Sequence, residues 1–258
     1  MLRTAIVVVF LVLCILLVGP PFILHCVITG RPDLLYKVGV AGARFALRLG
    51  GIRIRATGLE NIPTGVCVFV ANHTSNVDPP AVVAAIPRRV ALLGKKEAFG
   101  VPILGRAFRM AGFVPVDRSN RAAAIASVEQ AVEHLKRGTS YLVFPEGTRS
   151  ADGRLRAFKK GTFIMAIHAG VPVVPIAVIG AHRLMRKGSA AIHPGTVEVR
   201  FLPAIDSRGY TAAQRDVLRT VVQDAIAAAL PEEQKPEGAA SENAHKMQMP
   251  RPASPDSG

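Results

Sequence analysis

The chain has 258 residues, of which half are apolar and 19% are charged, and its formal net charge is +14. This composition argues against wholesale disorder, and three scattered cysteines exclude a disulfide framework and a zinc ribbon. The positive charge predicts an anionic partner, but 5% aromatic residues, no Trp and no nucleic-acid-binding motif disfavour nucleic acid and favour lipid.

An apolar segment begins the chain, with no formally charged residue between Arg3 and Arg31. Its first part, 4–18, would form a helix about 22 Å long, which is shorter than the hydrocarbon core of about 30 Å. The Gly-Pro-Pro at 19–21 is expected to break or kink this helix. Two interpretations remain, a kinked span over 4–29 or a monotopic hairpin in one leaflet. A cleaved signal peptide is the less favoured alternative, because no small-residue cleavage site follows closely.

Six Lys or Arg residues lie between 31 and 55, whereas Arg3 alone precedes the apolar segment. This asymmetry places the following domain on the cytoplasmic side of a membrane, and we expect the inner membrane of a bacterium. Residues 34–50 have the pattern of a basic amphipathic helix, which would lie on an anionic membrane surface or form an ordinary surface helix of the domain. Residues 1–50 are therefore interpreted as the membrane-anchoring part.

From 51 to 230, short β-branched runs alternate with helical stretches, which is typical of an α/β domain. Strands are predicted at 52–56, 66–71, 89–93, 113–116, 140–144, 173–179 and 196–202, and helices at 121–137, 158–169 and 211–229. Residues 231–258 are rich in Pro and polar residues, and we predict a disordered tail. Dinucleotide-binding, P-loop and nucleophile-elbow motifs are missing from the sequence, which counts against those three classes of enzyme.

A histidine and an aspartate stand five residues apart after the second predicted strand, at His73 and Asp78. On a continuous helix they would be separated by about 140° and could not face each other. Pro79 suits the first turn of a helix, so His73 is expected on a loop and Asp78 at the following helix N-terminus. A loop of this length allows the carboxylate to fold back onto the imidazole, fix its tautomer and strengthen it as a general base.

Three further segments carry candidate chemistry. Residues 144–150 (FPEGTRS) follow a strand and offer backbone N–H groups around Gly147, the Thr148 hydroxyl and the Arg149 guanidinium, a set that suits a phosphate. Residues 112–118 deliver a second guanidinium, that of Arg118, to a loop. Residues 171–177 are apolar and by themselves read as a core strand.

In this order the four segments resemble the blocks of the glycerolipid acyltransferase family, specifically its 1-acyl-sn-glycerol-3-phosphate acyltransferases, over roughly residues 50–205. The resemblance implies an α/β fold with a mixed, mostly parallel sheet flanked by helices. It implies transfer of an acyl chain from acyl-CoA or acyl-carrier protein to the free hydroxyl of lysophosphatidic acid, which gives phosphatidic acid without a cofactor or metal. The implied partners are these two substrates and an anionic membrane surface.

By the same resemblance, His73 would remove the hydroxyl proton and Asp78 would orient it. The acceptor phosphate would be held by the third block together with an arginine of the second, namely Glu146, Gly147, Thr148, Arg149 and Arg118. Ser75 is too close to His73 in the chain for a productive nucleophile, which favours direct transfer and counts against a thioesterase or lipase. The departures from the family pattern at residues 76–77 and 115 leave glycerol 3-phosphate or another lysolipid as alternative acceptors. A non-catalytic lipid-binding protein is the remaining alternative.

Overall fold

The computed structural model describes residues 1–117 and 119–237. Its centre is a seven-stranded sheet in the order β1-β7-β6-β2-β5-β3-β4. The strands are β1 Ile52–Thr57, β2 Val68–Ala71, β3 Ala91–Lys95, β4 Val114–Val116, β5 Tyr141–Val143, β6 Val173–Ile179 and β7 Gly195–Phe201. Neighbouring strands are parallel except for the antiparallel pair β6 and β7. The predicted α/β fold with a mixed, mostly parallel sheet is confirmed.

Helices cover both faces of the sheet and form the N-terminal region. They are α1 Leu2–Leu13, α2 Gly19–Thr29, α3 Asp33–Leu49, α4 Asp78–Ala85, α5 Leu104–Met110, α6 Arg121–Lys136, α7 Gly161–Ala169, α8 Ala181–Leu184 and α9 Arg215–Ala229. Two separate hydrophobic cores lie on the two faces, one against α6, α7 and α9 and the other against α4. The central strand β2 is buried along its whole length, as a strand covered on both faces must be.

The N-terminal apolar segment forms one continuous helix, Leu2–Thr29, long and apolar enough to cross a membrane by length and composition. The predicted break at Gly-Pro-Pro does not occur. Instead a π-helical turn, Cys14–Val18, precedes it, and the Gly19 N–H donates to the carbonyl of Cys14. The wider turn accommodates the rings of Pro20 and Pro21, which lack N–H donors and would clash with carbonyls one turn earlier.

The chain reverses at residues 30–32 instead, where Gly30 adopts a left-handed conformation. The predicted amphipathic helix is α3, which packs back along the N-terminal helix with the Phe10 and Phe45 ring centroids 5.0 Å apart. The N-terminal region is thus a helical hairpin whose turn lies eleven residues after the position that the prolines suggested.

The start of the predicted disordered tail is wrong, because the first residues after 230 pack on the domain. Glu232–Gln234 forms a 3-10 turn, and the Gln234 side chain is only 1% exposed. The Leu155 N–H donates to the carbonyl of Gln234 over 2.8 Å, which ties this segment to a loop of the α/β domain. Composition gives no sign of such distant partners. Residues 238–258 of the predicted tail lie outside the described residues.

Candidate active site

The loop between β2 and α4 brings His73 and Asp78 together. The Asp78 Oδ2 lies 2.9 Å from the His73 Nδ1. The same oxygen accepts hydrogen bonds from the backbone N–H groups of Thr74, at 2.6 Å, and Ser75, at 2.7 Å. Asp78 is fully buried. Its carboxylate therefore organises the whole turn, and the imidazole is held by an oxygen that two backbone donors already fix.

This contact determines which nitrogen of His73 can act as a base. A carboxylate is an acceptor only, so Nδ1 carries the proton and donates it, and Nε2 keeps its lone pair. The His73 side chain is 13% exposed, and its ring lies on that of Phe144 with the centroids 4.6 Å apart. A partly accessible imidazole in this tautomer can accept a proton from a substrate hydroxyl.

The FPEGTRS segment holds the backbone of His73 from both sides. Because β2 and β5 are parallel neighbours, the loops that follow them meet at the same edge of the sheet. The His73 N–H donates to the Glu146 Oε1 over 2.8 Å, and the His73 carbonyl accepts from the Ser150 N–H, also over 2.8 Å. The geometry thus places the Glu146 carboxyl group against the backbone of His73.

Glu146, a residue of the predicted phosphate site, is directed at the His73 backbone, and its side chain is only 4% exposed. Burial raises the pKa of its carboxyl group to about 8, and the nearby negative charge of Asp78 acts in the same direction. Burial therefore favours the neutral form, which avoids a second buried charge beside Asp78.

The other phosphate candidates of this segment lie closer to the surface. Thr148 is exposed, Arg149 is half-buried, and Gly147 has a φ of 72°, in the left-handed region that favours glycine. The Lys187 Nζ donates to the carbonyl of Arg149 over 2.8 Å. Lys187 brings a further positive charge to this loop from a distant part of the chain. Arg118, the remaining candidate, lies outside the described residues.

Two neighbours of His73 have structural partners. The Ser75 hydroxyl donates to the carbonyl of Met185 over 2.8 Å, and Ser75 is fully buried. The Asn72 side chain pairs with both backbone groups of Val178 in β6, as its Oδ1 accepts over 2.7 Å and its Nδ2 donates over 2.9 Å. Ser75 is therefore engaged away from His73, whereas Asn72 anchors the start of the catalytic loop to the sheet.

A cavity of about 710 Å³ lies beside the turn formed by residues 144–147. Its walls come largely from apolar side chains of α6, α7 and the adjacent strands, among them Leu93, Val128, Val143 and Ile164. Arg121 and Lys159 are among its polar lining residues. Within 1–117 and 119–237, no group of three or more His, Cys, Asp or Glu residues could hold a metal ion.

Three residues near His73 and the FPEGTRS segment make contacts that the sequence does not reveal. The contact of Glu146 with the His73 backbone depends on which strands are neighbours. Lys187 carries no local signal, since it is one basic residue in a basic chain. Asn72 belongs to the first motif, but only the register of β2 against β6 reveals its bond to Val178.

The known proteins to which this chain is similar include acyltransferases. An acyltransferase family model matches residues 53–179. The 1-acyl-sn-glycerol-3-phosphate acyltransferase of Limnanthes douglasii is 36% identical over 73% of this chain and 67% of its own length. The 1-acyl-sn-glycerol-3-phosphate acyltransferase of Limnanthes alba is 36% identical over 74% of this chain and 68% of its own length. The crystal structure of the 1-acyl-sn-glycerophosphate (LPA) acyltransferase PlsC from Thermotoga maritima superposes with a TM-score of 0.75 at 27% identity, over 87% of this chain and 92% of that one.

Proposed function

This chain belongs to the acyltransferase family that includes the 1-acyl-sn-glycerol-3-phosphate acyltransferases, and on that premise we propose that it converts lysophosphatidic acid to phosphatidic acid. The acyl donor is acyl-CoA or acyl-carrier protein. The observation that carries the proposal is the His73–Asp78 contact at 2.9 Å, with the FPEGTRS segment bonded to the His73 backbone. This arrangement joins a base for a hydroxyl to a loop suited to a phosphate.

The proposed reaction is a direct transfer. The His73 Nε2 removes the proton from the free hydroxyl as its oxygen attacks the thioester carbonyl carbon. The carbon–sulfur bond then breaks, and the imidazolium returns the proton to the departing thiolate. Asp78 stabilises the positive charge that forms on the imidazole. General-base catalysis of this kind contributes about 10²–10⁴-fold, and the remainder comes from positioning and from stabilisation of the oxyanion.

The acceptor phosphate binds at the exposed half of the FPEGTRS loop. Arg149 supplies a planar guanidinium and Thr148 a hydroxyl, and both suit phosphate oxygens. Lys187 adds charge beside them, as its bond to the Arg149 carbonyl supports. By family resemblance, Arg118 contributes from the second block. Glu146 takes no part in binding the phosphate, since it is buried against His73.

The acyl chain of the donor lies in the cavity beside Phe144. The His73 ring contacts Phe144 on one side, and Phe144 is also part of the cavity wall. An acyl chain in this apolar space leaves its thioester carbonyl near the imidazole and its polar carrier outside.

The N-terminal helix attaches the enzyme to one leaflet of the membrane. It has 28 residues and a length of about 42 Å, yet both of its ends contact the domain. Near its start, the Thr4 hydroxyl accepts from the Ile192 N–H over 3.0 Å, and near its end Ile23 and Cys26 pack on α5. A spanning helix would carry Thr4 to the far side of the bilayer, so these contacts favour the monotopic interpretation.

The exposed surface of this helix is suited to lipid. Leu16, Leu17, Leu24 and Ile28 are all exposed, and Ile28 is 74% exposed. Buried in one leaflet, these side chains would be removed from water. The basic residues of α3 and β1 then lie near the anionic headgroups. We place the domain on the cytoplasmic face of a bacterial inner membrane, as the excess of Lys and Arg after residue 30 supports.

The experiment that tests this function supplies the detergent-purified chain with labelled acyl-CoA or acyl-carrier protein and a panel of acceptors. We expect the label in phosphatidic acid when lysophosphatidic acid is the acceptor. Label transferred only to glycerol 3-phosphate or to a lysolipid without a phosphomonoester would refute the proposed acceptor. Release of free fatty acid with every acceptor would refute acyl transfer itself.

A further inference from the structure

Residues 231–236, which we call the C-terminal strap, run across the domain close to the active-site loops. Two ties lie at its surface, since the Arg154 guanidinium donates to the carbonyl of Lys235 over 3.1 Å and the Arg183 guanidinium lies 2.6 Å from the Glu233 carboxylate. A third tie is the bond from the Leu155 N–H to the Gln234 carbonyl. The strap is therefore held at three successive residues.

The side chain of Gln234 enters the interior between these ties. Its Oε1 accepts from the Gly180 N–H over 3.1 Å, and its Nε2 donates to the Val178 carbonyl over 3.4 Å. A buried amide costs free energy unless it is hydrogen-bonded, so these partners determine where Gln234 can lie. The amide joins the strap to the end of β6 and to the turn that follows it.

From Gln234 two short paths lead to His73. On the first path, the Val178 carbonyl that accepts from Gln234 also accepts from the Asn72 Nδ2, and Asn72 directly precedes His73. On the second, the Gln234 carbonyl holds Leu155, in the same loop as Ser150, whose N–H donates to the His73 carbonyl. Val178, which holds Asn72, and the loop that contains Ser150, which holds the His73 carbonyl, are thus both attached to one residue of the strap.

We propose that Gln234 is a positioning residue for acyl transfer, and that the C-terminal strap completes the support of the catalytic loop. The inference rests on the proposed role of His73 as the base. Gln234 touches no reacting atom. It acts by holding Val178 and Leu155 and, through them, Asn72, Ser150 and the His73 backbone. Its loss should therefore change turnover more than substrate binding.

The test replaces Gln234 by Met, which has a similar volume but no amide. The matched control is Ser207→Ala, because Ser207 is also fully buried and its single hydroxyl lies within hydrogen-bond distance of two carbonyls, those of Ala166 and Val171, at the opposite end of β6. Since small misplacements of a catalytic group are costly, we expect Gln234→Met to lower kcat about 10-fold or more, with both KM values within about 3-fold. Ser207→Ala should keep kcat within about 2-fold after a comparable loss of thermal stability.

Chain shortening supplies a second measurement. A chain that ends at Glu237 should retain full turnover, whereas one that ends at Leu230 should lose it as Gln234→Met does. If either of these strap variants does not fold, a double variant, Arg154→Ala with Arg183→Ala, removes the two arginine contacts of the strap without altering the core. For this double variant we expect a smaller fall in kcat, of about 3-fold. All variants are compared with the unmodified chain on whichever acceptor that chain uses best. The inference about Gln234 can therefore hold even if lysophosphatidic acid is not the acceptor. Turnover in Gln234→Met equal to that of Ser207→Ala, or unchanged turnover in the Arg154→Ala, Arg183→Ala chain or in the chain that ends at Leu230, would overturn it.

Discussion

Replacing Asp78 by Asn tests how much of the catalysis depends on one buried charge. The carboxylate oxygen that contacts His73 also accepts from the Thr74 and Ser75 N–H groups. An amide oxygen can accept the same two backbone bonds, so the loop should keep its shape and His73 its tautomer. The substitution therefore removes the charge while keeping these acceptor contacts, and it places the amide nitrogen at the buried Oδ1, which has no hydrogen-bond partner among the described residues.

The expected loss follows from the geometry of this contact. Unit charges about 4 Å apart attract each other by about 4 kcal/mol at an effective dielectric constant of about 20, and His73 and Asp78 are shielded enough from water for that value to apply. This attraction exists only while the imidazolium is present, that is, in the transition state and after it. Since 1.36 kcal/mol changes a rate tenfold, kcat should fall about 10³-fold with little change in either KM.

The assay is steady-state transfer of labelled acyl chains to lysophosphatidic acid, with thermal unfolding in detergent as the check on folding. The matched control is Asp206→Asn, because the Asp206 carboxylate is paired with Arg208 at the surface and should not affect turnover. A kcat within tenfold of the unmodified chain, in a folded Asp78→Asn protein, would refute the role given to this charge.

Three further expectations concern the phosphate site, the buried acid and the membrane. Arg149→Ala should raise the KM for lysophosphatidic acid about 10-fold or more, since a hydrogen bond to a charged group is worth about 1.5–3 kcal/mol. The control Arg208→Ala should leave this KM unchanged, and the same KM in both variants would remove Arg149 from the site. Glu146→Gln should become more stable relative to the unmodified chain as the pH rises from about 5 to 8. The folded-state pKa of Glu146, about 8, lies above the usual 4.5, so its ionisation opposes folding as the pH rises. A stability difference that does not change with pH would contradict the raised pKa of Glu146. A thiol introduced as Leu2→Cys in a chain without its three native cysteines should react with an impermeant reagent from the same side of vesicles as the α/β domain, and reaction from the opposite side only would show a spanning helix.

Local patterns predicted the contact between His73 and Asp78 because the residues that form it lie within one short loop. The Asp78 carboxylate turns back onto His73 because the two residues are five apart, a strand precedes them and Pro79 lies in the first turn of the next helix. The strands and the longer helices were predicted to within a few residues for a similar reason. Runs of β-branched residues and helix periodicity are properties of short windows of sequence.

The features that the sequence does not predict depend on contacts with distant parts of the chain. Glu146 has the composition of a phosphate loop around it, yet its partner is the His73 N–H in the loop that follows the neighbouring strand β2. Gln234 stands in a segment with the composition of a tail, but its amide finds partners more than fifty residues away. The helix through Gly-Pro-Pro is supported along its length by α3 and α5, which a rule about proline alone does not include.

Acyl transfer by the His73→Ala chain is the measurement that tests the central claim most directly. The unmodified chain and the variant are given labelled acyl donor and lysophosphatidic acid under the same conditions. Thermal unfolding curves check that both proteins are folded. With His73 as the general base, transfer in the variant should fall by at least about 10²-fold, while binding of lysophosphatidic acid is retained. Undiminished transfer would contradict the whole account of this site.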